Sequence, residues 1–212
     1  MLTVHHLGVS QSERIVWLCE ELGIDYALKR YDREPAGMGP AAYKSLHPLG
    51  TAPIITDGDV VLAESAAIME YIIVKHGGGR LAVGPDQANC PDYLYWFHFA
   101  NGSMMPSALV ELVITMVTGR PDAPGTAQLR ARGDLAFAMV EKRLGEAPWF
   151  AGDAFTAADI MMNYPLTSMR RPVPRDISPY PNLLAYLQRI GERPAFQRAM
   201  AKADPGLAPM LS

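Results

Sequence analysis

Short strand-like and helix-like runs alternate over residues 1–80 of this chain, and beyond them only the helical period remains. LTVHHL (residues 2–7) is brief and weakly alternating, the pattern of a buried strand. From about Gln11 to Leu22 the residues Ile15, Val16, Leu18, Cys19 and Leu22 recur at helical spacing, and Gly23 stands where a C-cap belongs. DYALKRYD reads as a second strand. One turn of helix is expected near Ala41–Ser45. APIITDGDVVLAES then gives two short strands around an Asp-Gly turn, a strong hairpin signal. ESAAIMEYIIVKH is helical again and stops at Gly77-Gly78-Gly79.

GGGRLAVGPDQANCPD reads as a linker. After it, helices are expected at about 90–117, 126–145, 157–169, 182–191 and 195–203, separated by loops containing Gly and Pro. The pattern predicts an α+β module over residues 1–78 and an all-helical module over 88–212. In GDAFTAADIMM, Thr156 and Asp159 have capping-box spacing, with Phe155 and Ile160 placed as a hydrophobic staple. That spacing assigns Asp159 to structure rather than to acid catalysis.

Composition narrows the function classes. Of 212 residues, 49% are hydrophobic and 19% charged, with a net charge of −3, which suits a globular protein with a sizeable core. Without a run of like charges, neither a nucleic-acid arm nor a polybasic membrane patch is expected. Arg170, Arg171 and Arg175 lie among prolines and read as a solvated loop. MLTVHHLG lacks the features of a signal peptide, and the uninterrupted apolar runs fall below the ~18 residues of a membrane span. Two cysteines, Cys19 and Cys90, fit a reducing compartment, so the expected location is the cytoplasm.

Four features bear on chemistry. Ser10 and Glu13 form an S-x-x-E pattern ahead of the first helix, so Ser10 reads as a capping residue. Its hydroxyl can also donate to a sulfur anion at a helix mouth, where the dipole favours negative charge, and the two roles are compatible. Thr51-Ala52-Pro53 precedes a strand. Pro53 there is either an ordinary edge-strand proline or a cis proline that turns the backbone of Ala52 outward. Glu64-Ser65 opens a helix; it reads as capping, or as a pair suited to the ammonium and carboxylate of an amino acid. The absence of C-x-x-C excludes dithiol redox chemistry of the thioredoxin kind, and Cys19 falls on the apolar helix face. Neither a metal nor a nucleotide is expected, since the His residues lack ligand spacing and no Gly-rich phosphate loop occurs.

Taken in order, S-x-S-x-R-x-x-W-L-x-E-E-L-G, HPLGTAPIITDG, LAES-x-A-I-x-E-Y, the FTAADI box and YPNLLAYLQRIGERPAFQRA resemble the cytosolic glutathione transferase family over nearly the whole chain. The resemblance implies a thioredoxin-like first domain, an all-α second domain and a homodimer. It implies that Ser10 is the donor to the glutathione thiolate, with Ser12 as the backup. It makes Ala52 with cis-Pro53 the anchor of the cysteinyl backbone, and Glu64 and Ser65 the clamp on the γ-glutamyl end. Thr51 stands where similar bacterial sequences often carry Lys, leaving the glycine carboxylate to Lys44, His47 or Arg33. Asn101 likewise stands where they often carry Glu. The second substrate, an apolar electrophile, is expected between the domains against Trp96, Phe99, Met104 and Met105. Two alternatives are a glutathione-dependent peroxidase or disulfide reductase on the same scaffold, and a non-catalytic binding protein.

Overall fold

The computed structural model describes residues 1–120 and 123–212. Its strands are β1 (Leu2–Leu7), β2 (Ala27–Tyr31), β3 (Ile54–Asp57) and β4 (Val60–Ala63). The helices of the first half are α1 (Glu13–Leu22), α2 (Ala41–Lys44) and α3 (Ser65–Lys75). Then follow α4 (Cys90–Phe99), α5 (Met105–Thr118), α6 (Ala127–Glu146), α7 (Ala157–Leu166), α8 (Pro181–Gly191) and α9 (Pro194–Ala203). Two compact units emerge. One is Met1–Ala82 with Gly191–Pro209, and the other is Val83–Ile190 with Met210–Ser212.

In the first unit the sheet order is β2-β1-β3-β4. β1 pairs parallel with β2 and antiparallel with β3, and β3 pairs antiparallel with β4. This is a thioredoxin-like sheet. The β3–β4 hairpin closes through Gly58-Asp59, with Gly58 at φ 61°, so the tight loop lies one residue later than the Asp-Gly pair suggests.

The extent of this unit departs from the sequence expectation of a continuous helical module over 88–212. Residues 191–209, α9 included, belong with the first unit. The physical reason is α1, which carries polar residues as well as apolar ones on sides that α9 covers. Trp17 meets Phe196 edge-on at 5.0 Å, and Glu21 takes a bidentate pair from Arg193 at 2.7 and 2.8 Å. Glu20 accepts from Arg198, Lys202 and Tyr26. α1 is thus enclosed all round, and Cys19 within it is fully buried, its thiol pushed up to about 12 chiefly by burial.

The second unit is helical. A fully buried Phe150 joins Trp96 on α4, 5.0 Å away, to Tyr186 on α8 at 5.1 Å. The capping box at the head of α7 forms as the sequence predicts: Ala158 N–H donates to Thr156 Oγ1 and Thr156 N–H to Asp159 at 2.8 Å. The long helix expected near 90–117 has an unforeseen break in period. Between α4 and α5, Ala100–Met104 form a π turn in which Met105 N–H reaches back five residues to Ala100. Pro106 explains it. Proline donates no N–H and its ring crowds the carbonyl four residues earlier, here Gly102, so the π turn lets the helix run on.

By length and composition alone, the 29-residue helical stretch Cys90–Thr118 would reach across a membrane. That property is not visible in its short uninterrupted apolar runs. It arises because the stretch is apolar on two sides. Tyr93, Trp96 and Phe97 are buried, whereas Val113, Met116 and Val117 are 56%, 74% and 80% exposed.

Candidate active site

Strand register gathers Ser10, Ser12, Thr51, Ala52, Pro53, Glu64 and Ser65 toward one end of the sheet of the first unit. Ile54 lies opposite His5 on β1 and opposite Ala63 on β4. The segment leaving β1 (residues 8–12), the segment entering β3 (residues 51–53) and the segment leaving β4 (residues 64–65) therefore converge. Beneath them, Leu7, Tyr31, Tyr43, Ile54 and Ala63 form one apolar cluster, against which Leu46 and Ala52 pack. The Ala52–Pro53 peptide bond is cis, the second of the two alternatives the sequence left open.

Ser10 departs from its expected capping geometry. α1 begins at Glu13, its N-cap position is Ser12, and the cap has no side-chain hydrogen bond. The carbonyl of Ser10, not its hydroxyl, accepts from Glu13 N–H at 3.1 Å. The tight turn ahead of α1 also bonds Arg14 N–H to Gln11 O and Ile15 N–H to Ser12 O, so backbone carbonyls take the role the capping box would have filled. The Ser10 hydroxyl is thus not taken up by the Glu13 N–H and accepts only a long bond from Ser12 N–H, at 3.3 Å, from the backbone.

That hydroxyl joins a buried chain of hydrogen bonds. Ser10 Oγ lies 2.7 Å from Ser12 Oγ, Ser12 Oγ lies 2.9 Å from His6 Nδ1, and His6 Nε2 lies 3.2 Å from Asp204 Oδ2. Ser12 and His6 are completely buried and Ser10 is 4% exposed. Ser12 Oγ also accepts from Leu7 N–H at 3.2 Å. Burial opposes the charge of Asp204, but the hydrogen bonds from His6 and from the Val9 N–H, with Arg30 nearby, bring its carboxyl below the ordinary range.

The loop before Ser10 is held in an uncommon conformation. Val9 has φ 48°, in the left-handed region, where a β-branched residue is an outlier. Both flanks of Val9 are anchored: its N–H donates to Asp204 Oδ1 at 3.0 Å, and its carbonyl accepts from Arg33 Nη2 at 3.0 Å. Strain of this kind, of order 1–3 kcal/mol, persists where surrounding contacts over-determine the backbone and is common at functional sites. Arg33, which the sequence offered to a ligand carboxylate, donates to the carbonyls of Gly8, Val9 and Gly37 instead.

The remaining predicted residues fall as follows. Glu64 is exposed at φ 72° and Ser65 opens α3 in a buried position. Arg14, fully buried on α1, donates to Ser65 Oγ at 3.4 Å and to Gln11 Oε1 at 2.7 Å, tying the heads of α3 and α1 together. Thr51 and Lys44 are exposed, and His47, half-buried, accepts from Leu49 N–H and by its carbonyl from Gly50 N–H. In the second unit, Trp96 and Met105 are core residues, Met105 packing with Tyr164 and Met169. Phe99 borders a cavity of about 370 Å³ with Tyr95, Pro106, Val110 and Met139, and Met104 borders a separate one of about 20 Å³.

Sequence reasoning missed two members of the buried chain, His6 and Asp204. His6 alternates with His5 on β1. Its neighbour points to the opposite face, bonding Tyr31 Oη and Thr56 Oγ1 at 3.1 Å each. Period-2 alternation could have separated the two histidines; no local signal marks Asp204, 198 residues from His6.

Known proteins resemble this chain from end to end. Residues 10–73 match the family model described as glutathione S-transferase, N-terminal domain, and residues 123–189 match glutathione S-transferase, C-terminal domain. Glutathione S-transferase 3 of Schizosaccharomyces pombe is 33% identical over 224 residues, covering 100% of this chain and 92% of that protein. Glutathione S-transferase GstB of Escherichia coli is 27% identical, covering 89% and 91%. A crystal structure of a glutathione S-transferase from Actinobacillus pleuropneumoniae superposes with a TM-score of 0.87 at 38% identity, covering 98% and 94% of the two chains. A glutathione transferase of Phanerochaete chrysosporium, solved in complex with oxidised glutathione, shares the fold at a TM-score of 0.77 and 18% identity, over 95% and 96%.

Proposed function

The chain belongs to the glutathione S-transferase family, and we propose that it is a serine-type enzyme which stabilises the glutathione thiolate through Ser10 and adds it to an apolar electrophile. The observation that carries this reading is the release of the Ser10 hydroxyl from capping, at the sheet end where Ala52-Pro53 and Glu64-Ser65 also converge. An O–H aimed at sulfur favours the charged form of a thiol, as any hydrogen bond to the ionised state does. The head of α1 adds a favourable dipole.

The cysteinyl backbone of glutathione would pair with Ala52, the γ-glutamyl carboxylate with Ser65, and the γ-glutamyl ammonium with Glu64. Thr51, Lys44 and His47 border the glycine end. Of the aromatic and methionine residues on the long helix, Phe99 and Met104 border cavities and are the candidates for contact with the electrophile. The enzyme lowers the thiol pKa and holds two reactants together, and the sulfur displaces a leaving group or adds to an activated carbon without a covalent enzyme intermediate. The exposed stripe Leu109, Val113, Met116 and Val117 on α5 is the face that a second copy would cover in a homodimer. The reading also keeps the protein in the cytoplasm.

The test is the rate of conjugation of glutathione to an aryl halide, set beside reduction of an organic peroxide, in wild type and Ser10→Ala. The proposal expects conjugation to be the faster activity and to fall at least tenfold in the variant. Peroxide turnover exceeding conjugation, or a variant as active as wild type, contradicts it.

A further inference from the structure

The two buried serines, the histidine and the aspartate form an unbroken line from the candidate sulfur site into the first unit. Each heavy-atom separation along it, 2.7, 2.9 and 3.2 Å, is hydrogen-bonding distance. With the His6 ring neutral, the donor and acceptor inventory gives one consistent set of directions. Asp204 carries its charge and can only accept, so His6 Nε2 bears the proton toward it. In the neutral ring Nδ1 is then an acceptor, and the Ser12 hydroxyl donates to it. Ser12 Oγ is thereby free to accept from Ser10, and Ser10 Oγ, which also accepts weakly from Ser12 N–H at 3.3 Å, keeps a lone pair for an S–H group.

In that resting arrangement Ser10 faces a thiol as an acceptor, whereas stabilising a thiolate requires it as a donor. Only one change satisfies every member: all the hydroxyl protons turn together. We propose that Ser10, Ser12, His6 and Asp204 constitute a proton relay in which the glutathione thiol proton passes to Ser10, the Ser10 proton to Ser12, and the Ser12 proton to His6 Nδ1. The S–H bond breaks, its electron pair stays on sulfur, and one N–H bond forms on His6, so one proton and one charge are transferred and nothing is oxidised. Afterwards the imidazolium donates to Ser12, Ser12 to Ser10, and Ser10 to the thiolate. Asp204 stabilises the imidazolium it faces. Arg30, the register partner of His6 on β2, is a further charged group here and acts on Asp204.

The proposal rests on the reading of Ser10 as the thiolate donor and adds the proton's destination. Ser12, His6 and Asp204 act through Ser10 and are positioning residues. Asp204 has a second task that fits this one, since its other oxygen holds Val9 N–H and thus the loop that presents Ser10.

The experiment is ¹⁵N nuclear magnetic resonance of the His6 ring in the intact protein, free and saturated with glutathione or S-methylglutathione at neutral pH. Bound thiolate is read in parallel by ultraviolet absorbance. Wild type is expected to carry a neutral Nε2–H tautomer when free, an imidazolium with glutathione, and the neutral ring again with S-methylglutathione, which has no proton to give. His6→Asn is expected to reduce the ratio of bound thiolate to bound thiol at neutral pH about tenfold, one unit in thiol pKa. It should also make ionisation release a proton to the buffer, detectable by calorimetry in buffers of different ionisation enthalpy. Asp204→Asn should lower the thiolate fraction in the same direction. Thiolate forming on wild type with His6 unchanged overturns the relay and leaves Ser10 as donor. Glutathione bound without any thiolate overturns both.

Discussion

Asp159 offers a case in which two opposed physical effects can be weighed. Its carboxylate accepts from Thr156 N–H at 2.8 Å and Phe150 N–H at 3.0 Å, with longer contacts from Thr156 Oγ1 and Tyr186 Oη. These bonds favour the charged form. Complete burial disfavours it and wins, pushing the carboxyl up to about 6. A group with its folded pKa above the unfolded value contributes stability at low pH that is lost as pH rises through the folded value.

Asp159→Asn removes this titration at nearly constant size. Integrating the linkage relation, the advantage of wild type over the variant should grow by about 1 kcal/mol between about pH 7 and about pH 5, and approach ~3 kcal/mol below ~pH 3. Superposed on it is a pH-independent cost of about 1–3 kcal/mol, because the amide has one acceptor oxygen for two buried N–H groups. Urea unfolding of both proteins at several pH values measures the difference. A gap that stays constant or narrows on acidification would show that the hydrogen bonds, not burial, govern Asp159.

Three further outcomes are expected. For Glu20, burial works against charge, but bonds from Lys202, Tyr26 and Arg198 hold its carboxyl below the ordinary range. Its stabilisation is therefore present at neutral pH and lost as pH falls through that lowered value, so Glu20→Gln should cost about 1–2 kcal/mol near neutrality and nothing in strong acid, read by thermal unfolding. Thr51→Lys should tighten glutathione binding about two- to fivefold by calorimetry, the gain of one exposed ion pair, and the gain should vanish in high salt. Val113→Lys with Val117→Lys should convert a homodimer to monomer in light scattering, since both side chains stand on the exposed apolar stripe of α5.

The sequence was most informative where a single local rule governs an element. The β3–β4 hairpin, the Thr156–Asp159 box and the alternation of the two modules all follow from signals a few residues long. It was less informative where distant segments decide. Glu20 and Glu21 look like the solvated side of an amphipathic helix, yet α9, some 175 residues away, covers them with Arg193, Arg198 and Lys202. The S-x-x-E spacing at Ser10 suggested capping, but a tight backbone turn met the same need, because carbonyls and a serine hydroxyl are equivalent acceptors for an orphan N–H. The π turn was hidden for another reason: Pro106 is compatible with a stop, a kink or a bulge, and only packing on both sides selects among them.

The measurement that tests the central claim most directly is the pH titration of thiolate absorbance for glutathione bound to wild type and to Ser10→Ala. Free thiols titrate near ~8.5. The account predicts that wild type holds the thiolate at neutral pH, with a bound pKa at least one unit lower, and that the variant still binds glutathione but returns its thiol to the ordinary range. Saturable binding to wild type with an unshifted thiol would contradict it and reduce Ser10 to a structural residue of the β1–α1 loop.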